Sequence, residues 1–278
     1  MRIVFVPATL VIFACLGSSL VHAKTTAVCL ENALPMETLG SDAEQREALI
    51  VQAKACMQER KPLRAVSLLS QIIKNDPTDA VAYLNRGSAY SAVGDLGAAI
   101  SDFSVAIRLD SDLVEARYNR GTVLANMGRY ESAIADFTET IRLKPDFALA
   151  YCNRGLANSI LAHYDDALVD YSLAIDRDPK LAYCRFDRGA LYLTLGDYQK
   201  AINDLSEALL AKPNDPMALT KRGEAEEALG RISQALDDFR AALSSRPELQ
   251  EAREGLDRIM AQQKRSDDEG RGAPSPNP

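Results

Sequence analysis

Apolar residues recur along most of the chain with the spacing of amphipathic helices. Between residues 80 and 113, one apolar stripe ends near Val93 and a second runs from Leu96 to Leu109. Gly94 separates the two stripes, and a glycine at this place is typical of a helix C-terminus. The pattern predicts two antiparallel helices joined by a tight turn.

The two-helix pattern repeats at intervals of 34 residues. An Arg-Gly dipeptide marks the first helix, an alanine and a bulky apolar residue mark the second, and a proline usually stands near the end, where it stops that helix. The dipeptides are Arg86-Gly87, Arg120-Gly121, Arg154-Gly155, Arg188-Gly189 and Arg222-Gly223, and the bulky residues are Phe103, Phe137, Tyr171, Leu205 and Phe239. Six units follow end to end, at 46–79, 80–113, 114–147, 148–181, 182–215 and 216–249.

These residues resemble the tetratricopeptide repeat, a helix–turn–helix unit of the same length with Gly, Ala, Tyr or Phe, and Pro at the same phases. The resemblance implies an all-α fold, a right-handed superhelix of six hairpins plus a C-terminal cap helix. It also implies a concave groove lined by the first helices, in which such proteins bind other proteins or extended peptides.

The two ends of the array depart from the pattern. The first unit has Ala53 where later units have glycine, which is typical of a terminal repeat that closes the array, and Ser41 with Glu44 predicts a capping box and an early helix start. Residues 24–45 therefore form an N-terminal cap segment. At the other end we expect a capping helix over 250–263 and a disordered tail over 264–278, which is polar and rich in Pro and Gly.

Residues 1–23 are typical of a signal peptide. Arg2 precedes an apolar stretch from Ile3 to Leu20, and Val21-His22-Ala23 suits cleavage before Lys24. A periplasmic or secreted protein is expected. Two alternatives stay open: lipidation at Cys15, which would make a membrane lipoprotein, and an uncleaved membrane anchor.

An aspartate follows each Arg of the Arg-Gly dipeptide after sixteen residues. The aspartates are Asp102, Asp136, Asp170, Asp204 and Asp238. Because the two helices of a hairpin are antiparallel, each Arg can reach an Asp across the hairpin or its neighbour. Five repeated structural ion pairs are predicted, which fix register more than they stabilise the fold.

Candidate binding residues follow from the family resemblance, in which the fifth and sixth residues of each unit face the groove. They are Leu84, Asn85, Tyr118, Asn119, Asn153, Phe186 and Asp187. A ladder of Asn side chains suits the backbone of an extended peptide, and Tyr118 and Phe186 would be apolar anchors. In the alternative interpretation, Asn at this phase only bonds polar groups between neighbouring helices.

Composition and motifs argue against several other functions. The net charge is −7 and there is no Lys/Arg block, which disfavours nucleic acid as a partner. The mature chain has one histidine, His163, and it has no metalloprotease, CxxC or phosphate-loop motif. We therefore expect no enzyme activity, no metal and no cofactor.

Four cysteines remain after cleavage, and an oxidising compartment favours their pairing. Cys29 and Cys56 are close in sequence, and a bond between them would hold the cap segment on the first unit. Cys152 and Cys184 stay open as other partners.

The expected function is a non-enzymatic adaptor of the periplasm or cell envelope that binds proteins or peptides in its concave groove. The alternative is a structural or assembly component of an envelope machine, lipidated or not, that acts through its ends or its convex face.

Overall fold

The computed structural model describes Cys29 and residues 41–271. These residues form helices with no strand, which confirms the all-α fold class of stacked hairpins. The predicted signal peptide, Cys15 and most of the cap segment lie outside the described residues. The helices are α1 (Asp42–Gln58), α2 (Pro62–Asn75), α3 (Ala80–Val93), α4 (Leu96–Leu109), α5 (Val114–Asn126), α6 (Tyr130–Leu143), α7 (Ala148–Ile160), α8 (Tyr164–Arg177), α9 (Ala182–Thr194), α10 (Tyr198–Ala211), α11 (Pro216–Ala228), α12 (Ile232–Ser245) and α13 (Gln250–Arg271).

The helices form two compact units, each larger than a single 34-residue repeat. Unit one ends at Ala157 and unit two begins at Asn158, so the division lies inside α7. Within each unit the consecutive helices pack on one another, as α1 on α2 and α3 on α4 in unit one, and α9 on α10 and α11 on α12 in unit two. Each unit has its own apolar core, built mainly from alanine and from the bulky residue of each second helix.

A close approach between the two helices of each hairpin depends on the repeated glycine. A Cβ atom added at Gly87 would lie 2.8 Å from Phe103 and 3.2 Å from the carbonyl oxygen of Ala99, and one added at Gly121 would lie 2.9 Å from Phe137. The glycine therefore packs directly against the bulky residue of the second helix in its own hairpin.

The interhelical turns use a residue in the left-handed region. Four hairpins place a glycine there, at Gly94, Gly128, Gly196 and Gly230, with φ between 73° and 90°. The other two place Arg60 (φ 58°) and Ala162 (φ 61°), which have a Cβ and are strained in this conformation.

Four of the five predicted ion pairs are present as two-point contacts. Arg86 donates from Nε to Asp102 at 2.7 Å and from Nη2 at 2.9 Å. The same geometry joins Arg120 to Asp136, Arg188 to Asp204, and Arg222 to Asp238. Both side chains of each pair are largely buried in the hairpin, so the architectural interpretation is confirmed for these four. Arg154 and Asp170 of the fifth pair belong to different units.

Helix α1 begins as its sequence predicts. Ser41 Oγ accepts from the backbone N–H of Glu44, and the Glu44 carboxylate accepts from the N–H of Ser41, which completes the capping box. The C-terminal expectation was wrong in part, because α13 continues to Arg271 instead of ending near residue 263. Glycine and proline are absent between Leu256 and Glu269, so nothing in that segment stops the helix.

The structure joins Cys29 to Cys56 by a disulfide bond. The Cα atoms are 4.6 Å apart and both residues are buried. The backbone N–H of Cys29 also donates to the carboxylate of Glu59 at 2.7 Å. This hydrogen bond is a second link between Cys29 and the C-terminal end of α1. Cys152 and Cys184 are buried and form no disulfide bond within the described residues.

Candidate peptide-binding site

Asn119 and Asn153, the sixth residues of the third and fourth repeats, lie where successive first helices adjoin. Asn119 of α5 donates from Nδ2 to Ser88 Oγ of α3 at 3.3 Å. Asn153 of α7 donates from Nδ2 to Tyr118 Oη of α5 at 3.1 Å. Both side chains therefore hold neighbouring helices together, and for these two residues the structure favours the alternative interpretation given above.

Asn85 differs from the two later asparagines. Its side chain is fully buried, yet neither Nδ2 nor Oδ1 has a hydrogen-bond partner. Asn119 and Asn153 find their hydroxyl partners 31 and 35 residues upstream. The corresponding residues before Asn85 are Lys54 and Ile50 of α1, which carry no hydroxyl. The atypical first repeat thus leaves the amide of Asn85 unpaired. A buried polar group without a partner lowers the stability of the fold by about 1–3 kcal/mol.

Leu84 and Tyr118, the fifth residues of the second and third repeats, belong to the apolar core of unit one. Leu84 packs in a cluster with Phe103 and Val123. The ring of Tyr118 contacts Phe137 at a centroid distance of 6.0 Å and Phe147 edge-on at 4.9 Å, and burial raises the pKa of its phenol to about 12. This differs from the expectation that Leu84 and Tyr118 line an open groove, because side chains at this phase also fill the space between hairpins.

The equivalent positions of unit two are more open. Phe186 is only partly buried against the core of that unit, and Asp187 is partly buried beside it. The Asp187 carboxylate makes no hydrogen bond or ion pair within the described residues, and burial raises its pKa to about 7. An apolar ring next to an unpaired acid is a surface that could contact an apolar and basic segment.

The match to known families agrees with this repeat geometry. Three models of the tetratricopeptide repeat match the chain, at residues 68–101, 114–147 and 186–268, which together span more than half of it. The chain belongs to the tetratricopeptide-repeat family. Proteins of this family generally bind other proteins or peptides and have no catalytic activity. The helical pairs of this TPR protein are packed as in the TPR solenoid.

Solved structures share the fold at low sequence identity. YrrB, a TPR protein with an unusual peptide-binding site, is 21% identical over 66% of this chain and 95% of its own, with a TM-score of 0.57. Pseudomonas aeruginosa PilF is 17% identical over 76% and 96%, with a TM-score of 0.70. PilW, a type IV pilus biogenesis factor, is 16% identical over 78% and 100%, with a TM-score of 0.69. At these identities the likeness shows the fold alone. No curated protein sequence matches the chain significantly.

Within the described residues, the TPR protein has no helix that is both long and apolar enough to span a membrane. Nor does any group of three or more His, Cys, Asp or Glu side chains in that part of the chain have the arrangement of a metal site.

A set of repeated hydroxyl groups that join successive hairpins was not predicted from the sequence. Each paired Arg also donates from Nη1 to a hydroxyl on the second helix of the preceding hairpin, at 3.0–3.1 Å. The hydroxyl residues are Ser70, Ser104, Ser172 and Ser206, and Thr138 receives the same bond from Arg154. Their 34-residue interval was visible in the sequence. Arg46 and Asp79 form a further ion pair, which stands outside the repeated spacing.

Proposed function

We propose that this TPR protein is a non-enzymatic adaptor of the periplasm or cell envelope, which binds extended peptide segments of other proteins along its first helices. The observation that carries the proposal is the unpaired amide of Asn85. An amide offers a donor and an acceptor side by side, and the backbone of an extended peptide presents the matching pair. Because the Asn85 side chain is fully buried, a bound segment would satisfy both atoms only after that side chain moves to the surface.

The neighbouring asparagines support this assignment by contrast. Asn119 and Asn153 already bond a hydroxyl group of the preceding first helix, whereas Asn85 has no such partner. Further along the chain, Phe186 and Asp187 offer a partly open ring and an unpaired carboxylate within unit two. Each unit therefore has its own proposed contact with a peptide, Asn85 in unit one, and Phe186 with Asp187 in unit two.

A binding experiment tests the peptide contact. A library of random extended peptides is panned against the full chain, and the dissociation constants of the enriched peptides are measured for the Asn85→Leu and Phe186→Ala variants. Each variant should bind at least one of these peptides about tenfold more weakly, the effect of about 1.4 kcal/mol. Arg108→Gln, an exposed change on α4, is the control and should bind as the parent protein does. Unchanged affinity in both test variants contradicts the proposal.

Thermal unfolding separates a ligand role from a structural one. Leucine at residue 85 removes the unpaired amide while keeping the branching and the number of side-chain heavy atoms, and it should raise the unfolding midpoint, because a buried polar group without a partner is costly. The matched Asn119→Leu variant loses the bond to Ser88 and should lower it. Equal losses in both variants would mean that Asn85 has a structural role only.

The compartment is supported by the leader-like residues 1–23 and by the disulfide of Cys29 with Cys56. Intact-mass analysis of the protein from its own cell envelope tests it. A mature chain that starts at Lys24 supports the adaptor of the periplasm. An acyl group on Cys15 would instead favour the assembly component that the sequence left open, and a chain with its leader retained would contradict both.

A further inference from the structure

A pocket of about 500 Å³ opens beside the turn between α1 and α2, on a different part of the protein from the first-helix positions. The turn contributes basic and apolar side chains, and Val93 at the end of α3 and Cys29 of the disulfide also line the pocket. The residues that matter are Cys29, Arg60, Lys61, Leu63, Arg64 and Val93.

The cations of this pocket are largely uncompensated. Lys61 contacts Glu59 at 2.8 Å in an exposed position. Arg60 and Arg64 make no side-chain hydrogen bond or ion pair within the described part of the chain, and the buried Nε of Arg64 has no partner at all. By contrast, Arg86 has its guanidinium bonded to both Asp102 and Ser70. Within the described residues, two guanidinium groups without a partner therefore line one pocket.

The backbone of Arg60 adds a second observation. This residue holds φ at 58°, at the phase where four other hairpins have glycine. A side chain is strained in that conformation, and glycine would remove the strain. The other five hairpins have glycine or alanine at this position, so the turn itself does not require a long side chain at residue 60.

An apolar surface lies next to these charges. Leu63 is 69% exposed and Val93 is 40% exposed, although both could be polar without loss to the core. Carboxylates suit unpaired guanidinium groups because the planar fork can bond both oxygens. The chemistry of the pocket thus fits a ligand that carries acidic and apolar side chains together.

We propose that this pocket binds an acidic segment of a partner protein, with its carboxylates on Arg60 and Arg64 and an apolar side chain against Leu63 and Val93. Recognition of an anionic membrane by charge needs a cluster of about 4–8 cations, and this pocket has three. The site is independent of Asn85 and gives the adaptor a second contact, at the end of the array.

Fluorescence anisotropy with the full chain tests the pocket. The probe is a short labelled peptide that repeats Asp-Leu-Glu, and its counterpart repeats Lys-Leu-Lys. We expect the acidic probe to bind and its basic counterpart to fail, with affinity that falls as salt rises. Arg60→Gly and Arg64→Gln should each weaken binding at least about tenfold, as expected when a charge-assisted contact is lost, and Arg108→Gln should leave it unchanged.

The Arg60→Gly variant also guards against a trivial loss of folding. Glycine relieves the strain at this turn, so its thermal midpoint should rise while binding falls. Asn85→Leu should bind the acidic probe as the parent does, which separates this site from the proposed peptide contact. No binding of the acidic probe, or equal binding by Arg60→Gly, overturns the proposal. So does retention of phosphatidylglycerol vesicles through Arg60 without binding of the peptide, since that would assign the pocket to a membrane.

Discussion

Arg120 donates from Nη1 to Ser104 Oγ at 3.0 Å, and the two residues belong to successive hairpins. Its Nε and Nη2 atoms are bonded to Asp136 of its own hairpin. Ser104 in turn donates to the carbonyl oxygen of Ile100 one turn earlier, so its hydroxyl acts both as a hydrogen-bond acceptor and as a donor. One guanidinium therefore fixes the two helices of a hairpin and joins that hairpin to the one before it.

Removal of this hydroxyl should loosen the contact between hairpins. Ser104→Ala should lower the free energy of unfolding by about 1 kcal/mol, because one N–H of a largely buried guanidinium loses its acceptor. Ser101→Ala, on the exposed side of the same helix, is the control for helix propensity and should not destabilise. Chemical denaturation measures both, and equal stability of the two variants would contradict the role of Ser104.

Two glycines of unit one should respond to alanine in opposite ways. A Cβ at Gly121 would lie 2.9 Å from Phe137, so Gly121→Ala should force the helices apart and cost about 1–3 kcal/mol. A Cβ at Gly97 of α4 has no contact closer than 3.7 Å, so Gly97→Ala should stabilise the helix by up to about 1 kcal/mol. Thermal unfolding compares them, and a gain at Gly121 would show that the hairpin has room to spare.

The disulfide should stabilise the first repeat. In the chain-entropy model, a loop of this length contributes about 3 kcal/mol, so the double variant Cys29→Ser with Cys56→Ser should unfold at lower denaturant concentration than the parent. Alkylation of the denatured envelope protein without reductant should label only the buried thiols Cys152 and Cys184. Labelling of Cys29 and Cys56 under the same conditions would show that the bond is absent.

Asp187 should make stability depend on pH. Burial raises its folded pKa to about 7, above the value of about 3.9 for an unfolded aspartate. The folded state then binds more protons between these two pKa values, so the contribution of this residue to stability decreases as pH rises from about 4 to 7. Above pH 7 the carboxylate is charged in both states, and its burial then destabilises the folded state relative to the unfolded one.

A neutral substitution isolates this effect. Asp187→Asn should raise the thermal midpoint at pH 8 more than at pH 5, and the exposed Asp237→Asn should change the midpoint little at either pH. Midpoints are measured by circular dichroism in matched ionic strength. A difference between parent and Asp187→Asn that does not vary with pH would contradict the raised pKa.

The sequence by itself determined the features that are local to one repeat. Arg86 with Asp102, and Gly87 with Phe103, lie at fixed spacings within a hairpin, and the antiparallel geometry of two helices is enough to bring each pair together. The capping box of Ser41 and Glu44 is likewise a relation between residues one helical turn apart. The relations within a hairpin could be predicted because the same residue types recur at the same spacing in successive 34-residue repeats.

The tertiary structure decided what depends on neighbouring repeats. Asn85, Asn119 and Asn153 have the same phase in the sequence, and only the residues of the preceding helix give two of them a hydroxyl partner and leave the first without one. Tyr118 lies in the core because Phe137 and Phe147 enclose its ring, although its phase alone was compatible with an open groove. A side chain at a given repeat position either packs within the protein or is available to a ligand, depending on which atoms of the neighbouring repeats lie against it. The 34-residue period of the sequence does not specify those atoms.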